Sequence, residues 1–314
     1  MNTLRIVFMG TPDFAAAILK HLVDTNFEVV GVVTAADKPA GRGLKLNESA
    51  VKKYAQSQNI PILQPTNLKN EAFLTSLKYF NADIQIVVAF RMLPKEVWNM
   101  PKLGTFNLHA SLLPEYRGAA PIHWAIINGE TKTGVTTFFI DDKIDTGEII
   151  LKREIEISED ETVGILHDKL MHLGANLVAE TVNYIANQTV KTTKQPNIEE
   201  KSAPKLTPEN TKIDWSEPLE NIYNKIRGLN PFPAAWTIIQ MNGEEISAKI
   251  YGVKKEKTIH SLDFGTIVSN KKEVKVAVQN GFIHILEIKL SGKRQMDVKS
   301  LLNGFTFSED AKML

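Results

Sequence analysis

The chain has 314 residues, of which 43% are hydrophobic and 23% are charged, and its formal net charge is +1. This composition is ordinary for a folded globular protein, and the length exceeds the roughly 100–200 residues of one domain, so we expect two domains. The chain has no cysteine, which excludes disulfides, thiol catalysis and cysteine-ligated zinc. Because no signal-peptide pattern and no run of 18 apolar residues is found, we expect a cytoplasmic protein without a membrane span.

The first part of the chain alternates strand-like and helix-like segments. Apolar, β-branched runs predict strands at residues 4–9, 28–34, 84–90 and 104–108, and amphipathic segments predict helices at residues 14–24, 49–58 and 70–80. Thr11 is predicted to cap the first helix, with Pro12 at its first position. Residues 36–46 are rich in Gly and Lys and are predicted to form a loop. The alternation is typical of an α/β fold with a Rossmann-like, doubly wound, mainly parallel sheet.

The later part of the chain has a different pattern of predicted elements, with several short strands near its end. Residues 136–140 and 148–157 are predicted as paired strands, followed by a long helix at residues 163–186. Polar, proline-containing residues then predict a linker. Beyond a helix at residues 218–229, short strands are predicted at residues 234–241, 246–254, 265–269, 273–279 and 282–290, with hairpin turns at Asn242-Gly243 and Asn280-Gly281. We therefore predict a domain at 1–189, a linker at 190–207 and a small β-barrel domain at 208–314.

Chemically versatile side chains gather at the predicted end of the strand at residues 104–108. Asn107 and His109 are two residues apart, so on an extended backbone they point to the same side, while Leu108 points into the core. Ligands of open α/β sheets bind at the carboxyl ends of strands. Asp145 follows later, in Ile144-Asp145-Thr146-Gly147. A carboxylate beside His109 would orient the ring and favour the imidazolium, and an amide could stabilise an oxyanion.

These parts suit acyl transfer without a covalent intermediate, although a purely structural role for His109 stays open. The segment after the first strand, Gly10-Thr11-Pro12-Asp13, is not the GxGxxG fingerprint of dinucleotide sites. Neither a Walker A sequence nor a GxSxG motif is found. The pair His167 and His172, five residues apart on a helix, diverges, so we expect no metal site. The residues alone therefore indicate an acyl- or amide-processing α/β enzyme.

A wider set of motifs resembles the 10-formyltetrahydrofolate-dependent formyltransferase superfamily. The resemblance is carried by four short segments: Asn107-Leu108-His109, Ser111-Leu112-Leu113-Pro114, Tyr116-Arg117-Gly118 and Asp145-Thr146-Gly147. Three further segments, at residues 8–14, 37–43 and 226–236, resemble the methionyl-tRNA formyltransferase family in particular. The resemblance extends over nearly the whole chain.

This resemblance implies a catalytic triad, a folate site and a reaction. The implied catalytic residues are Asn107, His109 and Asp145. The implied folate-binding residues are Ser111, Leu112, Leu113, Pro114, Phe90, Met92, Leu93, Asp141 and Asp142. A Tyr-Gly pair is common in the family where Phe90-Arg91 stands, so only backbone contacts would be shared there. The implied reaction transfers the formyl group of 10-formyltetrahydrofolate to the α-amino group of methionine on initiator Met-tRNA, for translation initiation, without a metal.

Several basic residues are candidates for contact with the tRNA acceptor stem. The resemblance implies that the loop at residues 36–46 enters the acceptor stem, with Arg42 leading and Lys38 and Lys45 beside it, and that Lys205 also binds tRNA. From the residues alone, a solvated surface loop is the simpler interpretation. From Lys205 onward there are 16 Lys and Arg against 13 Asp and Glu, a mild excess that permits an RNA partner. The resemblance also implies an oligonucleotide-binding (OB-like) barrel for residues 208–314, and we expect a monomer.

Three other functions remain open at this point. A sugar-nucleotide N-formyltransferase would use the same chemistry on another amine. A formyl-folate hydrolase would use the same triad with water. A non-catalytic RNA-binding protein would use only the C-terminal domain. The Arg42 loop and residues 226–236 argue against the first, and the intact Asn107, His109 and Asp145 set argues against the last.

Overall fold

The computed structural model describes residues 4–40, 45–196 and 201–314. The chain divides into two compact units. The first consists of Met1–Gly118, Gly134–Ile155 and His167–Ser202, and the second of Ala119–Thr133, Glu156–Leu166 and Ala203–Leu314. The predicted domain boundaries at residues 189 and 208 stay predictions.

A seven-stranded sheet organises the N-terminal part of the chain. The strands up to residue 156 are β1 (Arg5–Gly10), β2 (Glu28–Val33), β3 (Lys38–Ala40), β4 (Lys45–Asn47), β5 (Ile62–Leu63), β6 (Ile84–Val88), β7 (Thr105–His109), β8 (Arg117–Gly118), β9 (Lys132–Phe139) and β10 (Ile149–Glu156). The order in the sheet is β10-β9-β7-β6-β1-β2-β5. Strands β5, β2, β1, β6 and β7 run parallel, and β9 is antiparallel to β7. This confirms the predicted doubly wound, mainly parallel sheet.

The helices up to residue 186 are α1 (Asp13–Asp24), α2 (Ala50–Ser57), α3 (Glu71–Tyr79), α4 (Lys95–Trp98), α5 (Pro121–Ile127) and α6 (Val163–Ala186). Side chains cap α2 and α3: Ser49 accepts from the Lys52 amide at 3.0 Å, and Asn70 accepts from the Phe73 amide at 3.1 Å. The expected cap at Thr11 was wrong. Helix α1 begins one residue later, so the extended Pro12 is the cap residue and no side chain caps the helix.

The expectation of an irregular loop at residues 36–46 was wrong in part. Strands β3 and β4 pair antiparallel, with Lys38 opposite Asn47 and Ala40 opposite Lys45. Each strand has only three residues, too few for a periodic pattern to stand out in a Gly- and Lys-rich segment. Residues 41–44, which include Arg42, lie outside the described residues.

Helix α6 packs on the sheet behind the strand that carries the polar motif. At Gly174, a Cβ atom would lie 2.7 Å from Cδ2 of Leu108, so the missing side chain admits Leu108 of β7. Since side chains alternate along a strand, Leu108 faces α6 and its neighbours Asn107 and His109 face the opposite side of the sheet. The chain order also changes direction between β1 and β6, which places their carboxyl ends at the usual ligand crevice of such sheets.

The C-terminal part is mainly antiparallel. Its elements are β11 (Ser202–Ala203), α7 (Pro208–Thr211), α8 (Leu219–Leu229), β12 (Ala235–Met241), β13 (Glu244–Ile250), β14 (Val253–Lys257), β15 (Ile267–Ser269), β16 (Val274–Val278), β17 (Gly281–Ile285), β18 (Glu287–Leu290), β19 (Met296–Asp297), α9 (Val298–Leu302) and β20 (Lys312–Met313). Two sheets form, ordered β19-β18-β13-β12-β20 and β14-β17-β16-β15. Their buried faces and α8 share one apolar core, which includes Ile226, Ile250 and Ile283. This confirms the predicted mainly β domain.

Two predicted strands of this domain each form two strands. The strand expected at residues 246–254 divides into β13 and β14, and the one at residues 282–290 divides into β17 and β18. In both cases the chain passes from one sheet to the other. The crossing points are hydrogen-bonded to each other, since the amides of Leu286 and Glu287 donate to the Gly252 carbonyl at 2.8 and 3.1 Å. The alternation of buried residues shifts by one position at each crossing, since Ala248 and Ile250 are followed by buried Tyr251, and Ile283 and Ile285 by buried Ile288 and Leu290. Both segments stay rich in apolar residues, so each was predicted as one strand.

We predict that Gly134→Ala destabilises the fold. A Cβ atom at Gly134 in β9 would lie 2.1 Å from the backbone carbonyl oxygen of Arg153 in β10, and backbone cannot move aside cheaply. Overpacking of this kind costs roughly 1–3 kcal/mol. Thermal unfolding should therefore show a lower midpoint for Gly134→Ala. The matched control is Gly304→Ala, where a Cβ atom meets nothing within 4 Å. Equal midpoints for the two variants would contradict the packing described for β9 and β10.

Candidate active site

Strand β7 ends in the polar pair found in the sequence. His109, its last residue, is 6% exposed, and Asn107 is half-buried on the same face. The neighbours in the sheet are Val87 of β6 and Phe138 of β9, which lie beside Asn107. Within residues 4–40, 45–196 and 201–314, the side-chain amide of Asn107 has no hydrogen-bond partner, so this group is available to a ligand.

The His109 ring is held by a backbone carbonyl. Its Nε2 lies 2.8 Å from the carbonyl oxygen of Tyr116, and a carbonyl oxygen can only accept a hydrogen bond. Nε2 must therefore carry the hydrogen and donate. In the neutral ring the free lone pair is then on Nδ1, which makes Nδ1 the atom that can accept a proton.

Asp145 faces that accepting nitrogen. Its Oδ2 lies 3.8 Å from Nδ1 of His109, too long for a hydrogen bond but close enough for a protonated ring to be stabilised by the carboxylate. The same Oδ2 accepts the backbone amide of Gly118 at 3.1 Å. The Asp145 backbone has φ +55°, in the left-handed region that costs an L-residue about 1–2 kcal/mol. Strained residues of this type are typical of functional sites.

The turn that carries Asp145 is fixed on both sides. After it, Gly147 is packed so closely that a Cβ atom would lie 1.6 Å from the Phe139 carbonyl oxygen, so only glycine fits. Before it, the Asp141 carboxylate accepts the Thr146 hydroxyl at 2.8 Å and the Lys143 amide at 3.0 Å. The turn is therefore a defined platform for the Asp145 side chain.

The four residues expected to bind folate follow β7 directly. Ser111 is fully buried and donates to the Glu115 carbonyl at 2.6 Å, while its own carbonyl accepts the Thr136 hydroxyl at 2.7 Å. Leu113 is fully buried against Phe138 and Ile149. Leu112 and Pro114 are half-buried and complete the segment. The Ser111 hydroxyl and the Leu113 side chain are thus engaged with the protein, and so are the carbonyls of Ser111, Leu112 and Leu113. The half-buried side chains of Leu112 and Pro114 keep part of their surface exposed.

Lys152 supports this segment from β10. Its ammonium group donates a hydrogen bond to the Leu113 carbonyl. Burial lowers the pKa of Lys152, because it penalises the charged form. No motif or spacing in the sequence pointed to this contact.

A cavity of about 650 Å³ lies in the first unit, beyond the ends of β6 and β9. Four of the residues expected at the folate site line it: Met92, Leu93, Asp141 and Asp142. Arg91 lines it as well, and its guanidinium donates to the carbonyls of Thr66, at 2.9 Å, and Pro65. Phe90 is not among the lining residues and packs instead against the core cluster that includes Val87 and Val97.

A second cavity of about 400 Å³ shares Asp141 and Asp142 with the first. Arg117, Lys143, Thr146, Gln195 and Pro196 complete its lining. Arg117 belongs to the motif that carried the resemblance, but Gln195 lies in the predicted linker, where only polar composition was noted. No sequence signal pointed to Gln195.

The residues expected to bind tRNA are only partly described. Lys38 on β3 and Lys205 are exposed, and Lys45 lies in β4. Near the base of this hairpin, the Asp37 carboxylate accepts hydrogen bonds from Lys52 and Gln64, which lower the pKa of Asp37. Arg42, the leading candidate, lies outside the described residues.

Two negative observations apply to the described part of the chain. No group of three or more His, Asp or Glu there is arranged to hold a metal ion. None of its helices combines the length and apolar character needed to cross a membrane.

Solved structures of low identity share the fold. WlaRD, a sugar 3N-formyl transferase, aligns with a TM-score of 0.66 at 21% identity over 94% of this chain and 100% of its own. HypX from Aquifex aeolicus, solved in complex with tetrahydrofolic acid, aligns with a TM-score of 0.65 at 16% identity over 96% of this chain and 47% of its own. At these identities the similarity concerns the fold alone.

Sequence comparison identifies the family. The formyl transferase family model matches residues 4–182, and the model of the formyl transferase C-terminal domain matches residues 205–306. The methionyl-tRNA formyltransferase of Flavobacterium johnsoniae is 59% identical over 100% of both chains. That of Bacteroides thetaiotaomicron is 52% identical over 99% of this chain and 98% of its own. The chain therefore belongs to the formyl transferase family, and within it to the methionyl-tRNA formyltransferases.

Proposed function

We propose that the chain transfers the formyl group of 10-formyltetrahydrofolate to the α-amino group of methionine on initiator Met-tRNA, a step in translation initiation. The observation that carries this proposal is the 59% identity to a methionyl-tRNA formyltransferase over the whole of both chains. The geometry of Asn107, His109 and Asp145 supplies chemistry that fits the reaction. Because aminoacylated tRNA is used in the cytoplasm, the reaction takes place there.

The folate would occupy the cavity lined by Met92, Leu93, Asp141 and Asp142. The segment from Ser111 to Pro114 would contact the ligand through the half-buried side chains of Leu112 and Pro114, because the hydroxyl and carbonyl of Ser111 and the side chain and carbonyl of Leu113 are already engaged. Phe90 would contribute through its backbone, since its side chain packs into the core. The formyl group would then lie near the carboxyl end of β7.

In the bond-forming step, the unprotonated amine of methionine attacks the formyl carbon. The carbonyl oxygen gains negative charge, and the Asn107 amide donates a hydrogen bond to it. This role fits a side-chain amide that has no hydrogen-bond partner among the described residues and lies on the face of β7 that also carries His109. The tetrahedral intermediate then breaks its bond to folate N10.

Protons must move from the attacking amine to the departing N10. Nδ1 of His109 is the free base of the site, because Nε2 donates to the Tyr116 carbonyl. His109 accepts the amine's proton, directly or through a water molecule, and returns it to N10. The Asp145 carboxylate, 3.8 Å from Nδ1, stabilises the imidazolium while the proton is held. Atoms and charges balance: one C–N bond forms, one breaks, and one proton is relayed.

One assay separates this function from its alternatives. The protein is incubated with 10-formyltetrahydrofolate and with initiator or elongator Met-tRNA, and formyl-methionine and free formate are both measured. We expect formyl-methionine on initiator tRNA only. Formate released without tRNA would indicate a hydrolase, and no reaction with either tRNA would leave a sugar amine or RNA binding alone as the function.

We predict that Asn107→Ala lowers kcat by roughly 100- to 1,000-fold, because removal of one oxyanion donor has about that effect in other acyl transfers. The affinity for tRNA should be retained, since Asn107 contacts the reacting oxygen and not the RNA. Steady-state formylation and a tRNA-binding assay measure the two quantities. Asn183→Ala, at an exposed position of α6, is the matched control and should leave kcat unchanged. Turnover of Asn107→Ala close to that of the wild type would contradict the role of Asn107.

We predict that tRNA binding weakens steeply with salt. If Lys38, Arg42, Lys45 and Lys205 neutralise three or four phosphates, raising the salt from 50 to 200 mM should raise Kd roughly 20- to 150-fold, because counterions are released on binding. Filter binding of initiator tRNA at several salt concentrations measures the slope. Charge removal by Arg42→Ala should reduce that slope. A Kd that does not change with salt would contradict an RNA site built on these charges.

A further inference from the structure

We infer that Gln195 is a positioning residue that holds Asp145 in place opposite His109. This inference rests on the proposed function, because it assigns Gln195 a role in formyl transfer that acts through Asp145. Gln195 lies in the polar segment that follows α6 and is half-buried beside the turn that carries Asp145.

Three hydrogen bonds define the position of the Gln195 side chain. Its Nε2 donates to the carbonyl of Asp145 at 2.9 Å and to the carbonyl of Gly147 at 2.8 Å. Its Oε1 accepts the Arg117 guanidinium at 2.6 Å. Since carbonyls only accept and a guanidinium only donates, the amide can satisfy these partners in one orientation only.

Arg117 closes the arrangement on the other side. Its Nε donates to the Asp145 carbonyl at 2.9 Å, so this one oxygen receives both Arg117 and Gln195. The next residue, Gly118, donates its backbone amide to the Asp145 carboxylate at 3.1 Å. The backbone of Asp145 is thus held by two side chains and its carboxylate by a third contact.

These hydrogen bonds stabilise a turn that regular secondary structure does not. Asp145 has a left-handed backbone, φ +55°, and no regular hydrogen-bond ladder surrounds it. The Oδ2 to Nδ1 separation of 3.8 Å depends on that backbone, because the aspartate side chain is short. Loss of the two Gln195 donors leaves the Asp145 and Gly147 carbonyls with fewer partners and allows the turn to rearrange. The carboxylate then no longer faces His109 at a fixed distance.

The segment that carries Gln195 is itself anchored to the sheet. Thr193 forms two backbone hydrogen bonds with Ile149 at the start of β10, at 2.8 and 2.9 Å. The hydroxyl of Thr192 donates to the Glu148 carboxylate. These contacts bring Gln195 to the turn although 50 residues separate it from Asp145.

The test is Gln195→Glu in the full-length protein, assayed for formylation of initiator Met-tRNA. Glutamate keeps the shape of the side chain and an acceptor for Arg117, but an ionised carboxylate cannot donate to the two carbonyls. We expect kcat to fall roughly 10- to 100-fold, as for other losses of positioning in catalytic sites, with KM for tRNA unchanged. Gln195→Leu removes both the hydrogen-bond donors and the acceptor, so we expect its kcat to fall at least as far as that of Gln195→Glu. Gln188→Glu, the same substitution at an exposed glutamine shortly after α6, is the matched control, and its kcat should stay within about twofold of the wild type.

A double-mutant cycle with Asp145→Asn separates positioning from a general structural effect. If Gln195 acts through Asp145, Gln195→Glu should change kcat less than about twofold when Asp145→Asn is already present. Turnover of Gln195→Glu near that of the wild type would overturn the inference, and so would losses that multiply in the double variant. Near-wild-type turnover of the single variant Asp145→Asn would contradict the role of Asp145 in the proposed function. The other two outcomes would overturn the role of Gln195 and leave the role of Asp145 unaffected.

Discussion

The hydrogen bond between Nε2 of His109 and the Tyr116 carbonyl determines what the rest of the site can do. At 2.8 Å from an oxygen that can only accept, Nε2 must carry the ring's hydrogen. The basic lone pair is therefore on Nδ1, which faces Asp145. Had the hydrogen been on Nδ1 instead, the Asp145 carboxylate would face an N–H and the basic lone pair would point at the Tyr116 carbonyl. The loop from β7 to Tyr116 thus selects the atom that handles the proton.

The fold brings the other groups to this atom from separate parts of the chain. Strand β7 places Asn107 and His109 on one face because side chains alternate, and Leu108 fixes that face by packing against α6 at Gly174. The Asp145 turn is held against β9, where only glycine fits at position 147. The folate segment is buried through Ser111 and Leu113. The residues that make these packing contacts position the reacting groups and do not themselves take part in the chemistry.

Much of this could be predicted from sequence, and the failures have physical causes. The strand at residues 84–88 was predicted, with bounds 84–90, because this buried parallel strand is almost entirely apolar. The hairpin of β3 and β4 was missed because three-residue strands have no measurable period. The crossings at Gly252 and Leu286 were missed because each is marked only by a one-residue shift in the alternation of buried side chains. The cap at Thr11 was misplaced by one residue because Pro12 is extended.

Some residues of the candidate site could likewise be predicted from the sequence, and others could not. Asn107 and His109 could be proposed from their spacing on one strand, and Asp145 as a carboxylate that could orient His109, while the family resemblance implied that the three form a catalytic triad. Arg117 belonged to the motif set without an assigned role. Gln195 could not be found, because its partners are 48 to 78 residues away and its own segment is merely polar. Contacts between a side chain and a distant backbone carbonyl leave no pattern in a single sequence, since any residue type can supply the carbonyl.

The most direct test of the central claim is a single-turnover measurement of formyl transfer with His109→Ala, with the enzyme in excess over initiator Met-tRNA and saturating 10-formyltetrahydrofolate. Under these conditions the rate reports the chemical step and not binding. If Nδ1 of His109 relays the proton, the rate should fall roughly 100- to 10,000-fold while both substrates still bind. A single-turnover rate within a few-fold of the wild type would contradict the assignment of His109 as the base of this site.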